Sequence, residues 1–168
     1  MRRRITRCRA IGEYDGVLRA IVHALKYDGR RSLAVPLAER MRERGAFVLE
    51  GASAVVPVPL HASRRRQRGF NQAADLARHI GLPVAPILRR IRATADQTTL
   101  AAGQRHGNVR GAFAVTPAAI EWAGRIVVLV DDVSTTGATL EACASPLLEH
   151  GVGEVRGLTA ARVVTRPR

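Results

Sequence analysis

Asp131 and Asp132 stand side by side at the end of the apolar run Ile126-Val-Val-Leu-Val130, and Val133, Ser134, Thr135, Thr136, Gly137, Ala138 and Thr139 follow them. Five consecutive β-branched or Leu residues read as a central parallel strand buried on both faces. A helix is expected to begin near Gly137 or Ala138. A ligand at the carboxyl end of such a strand sits where open α/β sheets usually bind. The helix start offers unpaired N–H groups and a positive dipole end, which suit a phosphate. The hydroxyls add donors, and Gly137 lets the backbone approach an anion closely. The acids cannot take phosphate directly; they suit sugar hydroxyls or a divalent cation. Phosphate at one end and a diol at the other describe a ribose 5-phosphate. A plain strand–turn–helix junction needs one capping residue, whereas two acids, four hydroxyls and a glycine fall here within nine positions.

Other side chains carry chemistry less sharply. Pro57-Val-Pro-Leu-His61 follows a second apolar run and fits either a ligand loop or an ordinary strand-end turn. His61 could act as a base, although a lone loop histidine is more often a surface residue. Arg64-Arg-Arg-Gln-Arg68 is either a solvated charge run or a surface for anions and nucleic-acid backbone. Lys26 is the only lysine in an arginine-rich chain; it is either a position that needs a compact ammonium rather than a planar fork or a chance surface lysine. Cys8 and Cys143 form no Cys-x-x-Cys pair, so neither a metal cluster nor a disulfide framework is supported. No P-loop, dinucleotide fingerprint, nucleophile elbow or His-Glu-x-x-His occurs.

The elements that must position these residues follow from periodicity. Helices are expected over residues 16–27, 32–44 (stopped by Gly45), 70–79 and 137–150, the last shortened or kinked by Pro146. Strands are expected over 54–58, 84–88, 111–115, 126–130 and 154–164. Residues 92–110 lack periodicity and form a long loop of the kind that is usually functional or mobile. Strands alternating with helices predict an α/β fold with a mostly parallel central sheet flanked by helices.

A length of 168 residues fits one domain, and 46% hydrophobic residues exclude a disordered chain. No apolar run reaches the ~18 residues of a membrane span, and the basic start lacks the apolar middle of a secretory signal. The cytoplasm is the expected compartment. The formal charge of +13 is almost all arginine. It reflects either a coding bias or a surface for phosphate-bearing partners.

Val128-Leu-Val-Asp-Asp-Val-Ser-Thr-Thr-Gly-Ala-Thr139 resembles the phosphoribosyl-pyrophosphate motif of type I phosphoribosyltransferases. Val56-Pro-Val-Pro-Leu-His61, Arg68-Gly-Phe-Asn-Gln72, Leu25-Lys-Tyr-Asp-Gly29 and Asn108-Val-Arg-Gly-Ala-Phe113 resemble the ComF (competence-protein) branch, so the likeness covers roughly residues 14–165. It implies the type I fold, with residues 1–45 as a small helical hood and 46–168 as the core. Asp131 and Asp132 would then hold the ribose, also as catalytic residues and as direct or indirect ligands of Mg²⁺. Residues 133–139 would hold the 5-phosphate. Pro59, Leu60, His61, Arg68, Arg105, Arg110 and Lys26 would serve pyrophosphate, with the 92–110 loop closing over the site. The implied reaction displaces pyrophosphate from the anomeric carbon of 5-phosphoribosyl-1-pyrophosphate, with Mg²⁺ as cofactor and an acceptor the residues do not name. The rival reading is a non-catalytic module in DNA uptake. Expected partners are phosphoribosyl pyrophosphate, weakly and non-specifically bound nucleic acid, a DNA-uptake protein, and a second copy in a homodimer; no membrane is expected. Members of this branch often carry a four-cysteine zinc module. Only Cys8 lies in that region here, so no zinc is carried over.

Overall fold

The computed structural model describes residues 4–92, 109 and 111–164. Its strands are β1 (Ile5–Glu13), β2 (Ala54–Pro57), β3 (Leu88–Arg90), β4 (Phe113–Val115), β5 (Ile126–Ser134) and β6 (Glu154–Arg162). The helices are α1 (Gly16–Tyr27), α2 (Ala34–Arg44), α3 (Ala46–Leu49), α4 (Ala62–Arg68), α5 (Gln72–Ala77) and α6 (Ala138–Glu149). Single 3₁₀ segments cover Arg31–Leu33 and Pro117–Trp122. The main sheet has the order β1-β6-β5-β2, all parallel, and Val84 adds a parallel bridge to Val55 outside β2.

Both faces of β5 are buried, as its composition dictates. Val127 and Leu129 pack with α6 residues such as Leu140, Cys143 and Leu147 and with Phe113 of β4. Val128 and Val130 point the other way, into a second cluster with Val22 and Leu25 of α1, Met41 of α2 and Leu76 of α5. The side-chain period of a strand therefore sorts four residues of one apolar run into two cores.

Three expectations differ from the structure. The N-terminal region opens with β1 rather than with a helix, and β1 lies in the main sheet against β6. Its residues are mostly exposed, so backbone pairing rather than an apolar stripe defines it, and periodicity could not reveal it. The strand expected at 84–88 is reduced to the Val84 bridge, and pairing resumes only at β3, which runs antiparallel to β4. Pro146 does not shorten α6, which continues to Glu149. Gly45 ends α2 as expected: a Cβ there would lie 2.5 Å from the Met41 carbonyl oxygen and 2.6 Å from Leu158 Cδ1, so any side chain would push α2 off the sheet.

One buried cation ties the sheet to the helices. Arg156, 4% exposed, forks onto Glu154 (2.8 and 3.2 Å) and donates to the Val48 and Glu50 carbonyls at the end of α3. Those hydrogen bonds, first from Arg156 and then from Thr6, hold the Glu154 carboxyl down at about 2 against an ordinary 4.5. A depressed carboxyl contributes stability above its unfolded value and loses it as pH falls. This contribution is therefore complete above 4.5 and fades towards about 2. Arg156→Ala strands two carbonyls and a carboxylate, so a loss of about 3 kcal/mol is expected in urea unfolding at neutral pH. A loss within about 0.5 kcal/mol, the range of an ordinary surface change, would contradict that role.

Candidate active site

The β5–β6 ladder does not stop at the apolar run. Asp131 pairs in register with Thr159 and Val133 with Ala161, so the acids belong to the carboxyl end of the central strand. Strand alternation sends adjacent residues to opposite faces. Asp132 therefore faces the α1 side, where Lys26 Nζ lies 2.9 Å from its Oδ1. Asp132 is 3% exposed; its Oδ1 also accepts the Val133 N–H at 2.6 Å, while its buried Oδ2 has no hydrogen-bond partner among the described residues. Asp131 is half-buried, its Oδ1 accepts the Asp132 N–H at 2.8 Å, and it shares the electrostatic surroundings of Arg90 and Cys143.

Burial, and then the neighbouring Asp132 charge, push the Asp131 carboxyl up to about 7 despite Lys26 nearby. Burial works against the Lys26 charge, but the charge and hydrogen bond of Asp132 outweigh it, so the ammonium holds its proton above its ordinary value. Burial also raises the Cys143 thiol well above its ordinary value, which makes it an inert core residue.

After Ser134 the chain turns through Thr135 and Thr136 to Gly137, whose φ of +79° is the left-handed conformation that favours glycine. Ala138 then opens α6, its N–H meeting Thr136 Oγ1 at 3.4 Å. The hydroxyls and the first N–H groups of α6 thus follow the acids directly. Glu141, in the first turn of α6, accepts the backbone N–H of Arg4 at 3.0 Å and so links this turn to the start of β1.

The second loop is set beside the first by β2. Pro57 pairs with Val130, and the Val58 N–H donates to the Val130 carbonyl at 2.9 Å, so Pro59, Leu60 and His61 begin level with the acids. Asn71 holds this loop: its Nδ2 donates to the Val58 carbonyl at 3.0 Å while its Oδ1 caps α5. His61 Nδ1 accepts the Ser63 N–H at 3.3 Å and caps α4, a structural task that composition did not announce. The expected charge run is itself α4, ended by Gly69.

Lys26 and Arg68, expected at pyrophosphate, line one cavity of about 380 Å³ with Tyr27, Arg64, Gln67 and Phe70. Arg68 lies over the Tyr27 ring at 5.2 Å and donates to Gln72 Oε1 at 2.6 Å. Through the Lys26–Asp132 pair this basic cavity adjoins the acids; residues 134–139 do not line it. Pro59 lines a different cavity, and Leu60 and His61 line neither. Arg105 and Arg110 lie outside the described residues. Arg90, which the sequence reading missed, sits at the base of the β3–β4 ribbon with its guanidinium 5.3 Å from the centre of the Phe113 ring. That ribbon pins both ends of the segment expected to be a long loop.

Residues 66–166 match the model of the phosphoribosyl transferase domain. The chain belongs to that family. It is 33% identical over 162 residues to Competence protein F of Haemophilus influenzae, covering 90% of this chain and 71% of that protein. It is 34% identical over 157 residues to DNA utilization protein YhgH of Salmonella typhimurium, covering 88% and 68%. Among solved structures it is similar to the glutamine phosphoribosylpyrophosphate amidotransferase of B. subtilis, with a TM-score of 0.49 and 18% identity; 88% of this chain matches 32% of that one. The chain thus falls in the competence-protein branch of that family, and its parallel sheet with flanking helices is the arrangement the resemblance implied. Among the described residues no helix is long and apolar enough to cross a membrane.

Mg²⁺ is the ion the family implies. Among the described residues no group of three or more His, Cys, Asp or Glu gathers into a metal site. The Asp131 carboxylate and the Asp132 Oδ2, which has no hydrogen-bond partner among the described residues, are nevertheless oxygen donors of the kind taken by a hard cation that keeps most of its waters.

Proposed function

We propose that this protein binds 5-phosphoribosyl-1-pyrophosphate at the carboxyl end of β5 and transfers the phosphoribosyl group to an acceptor with release of pyrophosphate. The observation that carries this reading is the acid pair followed directly by the glycine-led turn into α6. Asp131, with Asp132 behind it, accepts from the ribose hydroxyls, and residues 134–139 receive the 5-phosphate. Lys26 and Arg68 face the pyrophosphate from the basic cavity. Asp131 and Asp132 would hold Mg²⁺, which when bound supplies positive charge against the leaving group. The anomeric carbon gains positive character as its bond to pyrophosphate breaks, and the fixed carboxylates beside it stabilise that charge without reorganising. Positioning by the two loops supplies the remainder.

Calorimetric titration with phosphoribosyl pyrophosphate, with and without Mg²⁺, tests the binding. A pyrophosphate-release assay over a panel of bases and amines tests the transfer. Absence of binding in both titrations would remove the reading.

The state of Asp131 adds a pH signature. With its carboxyl at about 7, it is mostly protonated at pH 6 and loses its capacity to accept two hydroxyls. Affinity for ribose 5-phosphate should rise about tenfold from pH 6 to 8 and then level off. Asp131→Asn should flatten the rise and leave only the titration of the ligand's own phosphate, near pH 6. The same shift makes folding less favourable as pH rises from 3.8 towards about 7, because the folded chain keeps the proton longer.

The names of the relatives favour one further reading, a part in handling DNA for competence. The exposed Arg65 and Arg66 beside Arg64 on α4 suit a phosphate backbone. Replacing the three by Ala should weaken oligonucleotide binding and flatten its salt dependence by roughly one unit per lost contact. Fluorescence anisotropy at several salt concentrations reads this, and no binding at low salt would rule it out.

A further inference from the structure

A second cavity, of about 340 Å³, is lined by Pro57 and Pro59 beside the 58–61 loop and shares only Phe70 with the lining of the first. Arg31, Arg65 and Arg78 line it together with Asp75, Asn71 and Phe70. Two of the arginines, though more than half exposed, are held in place. Asp75, on α5 and only 5% exposed, accepts from Arg31 Nε at 2.7 Å, from Arg31 Nη2 at 2.8 Å and from Arg78 Nη1. Arg31 is held a second time, its guanidinium 5.2 Å from the centre of the Phe70 ring. One buried carboxylate therefore fixes two guanidinium groups in the wall, and Arg65 of α4 supplies a third. Three positive charges against one negative leave two in excess.

We propose that this cavity is a second anion site, which takes the phosphoryl groups of a small oligophosphate. Planar guanidinium forks match phosphate oxygens in pairs, and forks already fixed by Asp75 lose little freedom on binding. The volume lies within the roughly 300–1,000 Å³ of small-molecule sites and exceeds what one phosphate fills. Its apolar walls include Pro57 and Pro59, so the rest of the ligand meets hydrophobic surface. The site also touches the back of the pyrophosphate loop: Asn71 lines the cavity and holds the Val58 carbonyl at 3.0 Å. An occupant here bears on the geometry of residues 58–61 from behind.

Tripolyphosphate, which has no sugar for the acid pair to grasp, is the probe, titrated by calorimetry in EDTA. Arg31→Gln and Arg65→Gln should each weaken its binding about tenfold or more, the worth of a charge-assisted hydrogen bond. Ribose 5-phosphate binding should change less than about twofold, since neither side chain belongs to the phosphoribosyl site. Arg31→Gln disturbs Asp75; Arg65→Gln makes no contact with it, so a folding defect in the first leaves the second decisive. Equal tripolyphosphate affinity in Arg65→Gln and the unaltered protein, or no binding at all, overturns the proposal. Should ribose 5-phosphate bind none of these proteins, the phosphoribosyl reading fails while the tripolyphosphate comparison stands. ADP distinguishes the sources of the phosphates. Tighter binding of ADP than of tripolyphosphate, weakened by Arg65→Gln, marks a nucleotide site; the reverse order marks one for inorganic oligophosphate.

Discussion

Replacing Asp131 and Asp132 together by Asn should lower affinity for phosphoribosyl pyrophosphate by about a hundredfold or more. Each ribose hydroxyl donating to a carboxylate is worth about 1.5–3 kcal/mol, so two lost acceptors amount to roughly two to four powers of ten. The geometry divides the effect unequally. One oxygen of Asp132 is already engaged by Lys26 and the Val133 N–H, whereas Asp131 is the more exposed acid. Asp131→Asn alone should carry most of the loss. Calorimetry on each variant, with circular dichroism to confirm the fold, separates the two acids. A double variant that binds as well as the parent would place the ribose elsewhere.

Lys26→Met should cost the fold about 3–5 kcal/mol, because it leaves Asp132 buried with no counterion. The side chains are 17% and 5% exposed, and 2.9 Å separates the charges. Lys26→Met with Asp132→Asn removes both charges and should recover much of the loss. Urea unfolding of the four proteins closes the cycle, and a coupling below about 0.5 kcal/mol would show an inert pair. The pH dependence has a definite sign. The lysine proton is held more tightly than in the unfolded chain, so the contribution is complete below 10.5 and is lost as pH rises beyond it. The parent should therefore lose stability steeply in strong alkali, and Lys26→Met should not.

What could be read in advance was local. Five apolar residues announced β5, and the hydroxyls and Gly137 announced the turn into α6, because backbone conformation and nearest neighbours decide both. The residues joined across long stretches of chain were not legible. Lys26 and Asp132 are 106 positions apart, and the lone lysine was the only hint of their pairing. Arg90 gave no hint, being one of several arginines in its neighbourhood. The tie from Arg156 to the Val48 carbonyl, across 108 positions, depends on a helix end that no periodicity marks. α4 was hidden by its own charges: an arginine string reads as solvated surface, and the capping role of His61 shows only once the helix is seen.

The pairing of β1 with β6 also governs when the sheet can be finished. Ile5 finds its partner in Val155, 150 positions later. At ~5–20 residues per second, the ribosome makes the second roughly 8–30 s after the first. Through that interval Ile5–Glu13 has no strand to lie against, while β2 and the helices around it are already being made. Arg7 and Arg9, exposed along the waiting segment, discourage it from joining foreign strand edges. The sheet thus closes late, at a strand made long before its partner.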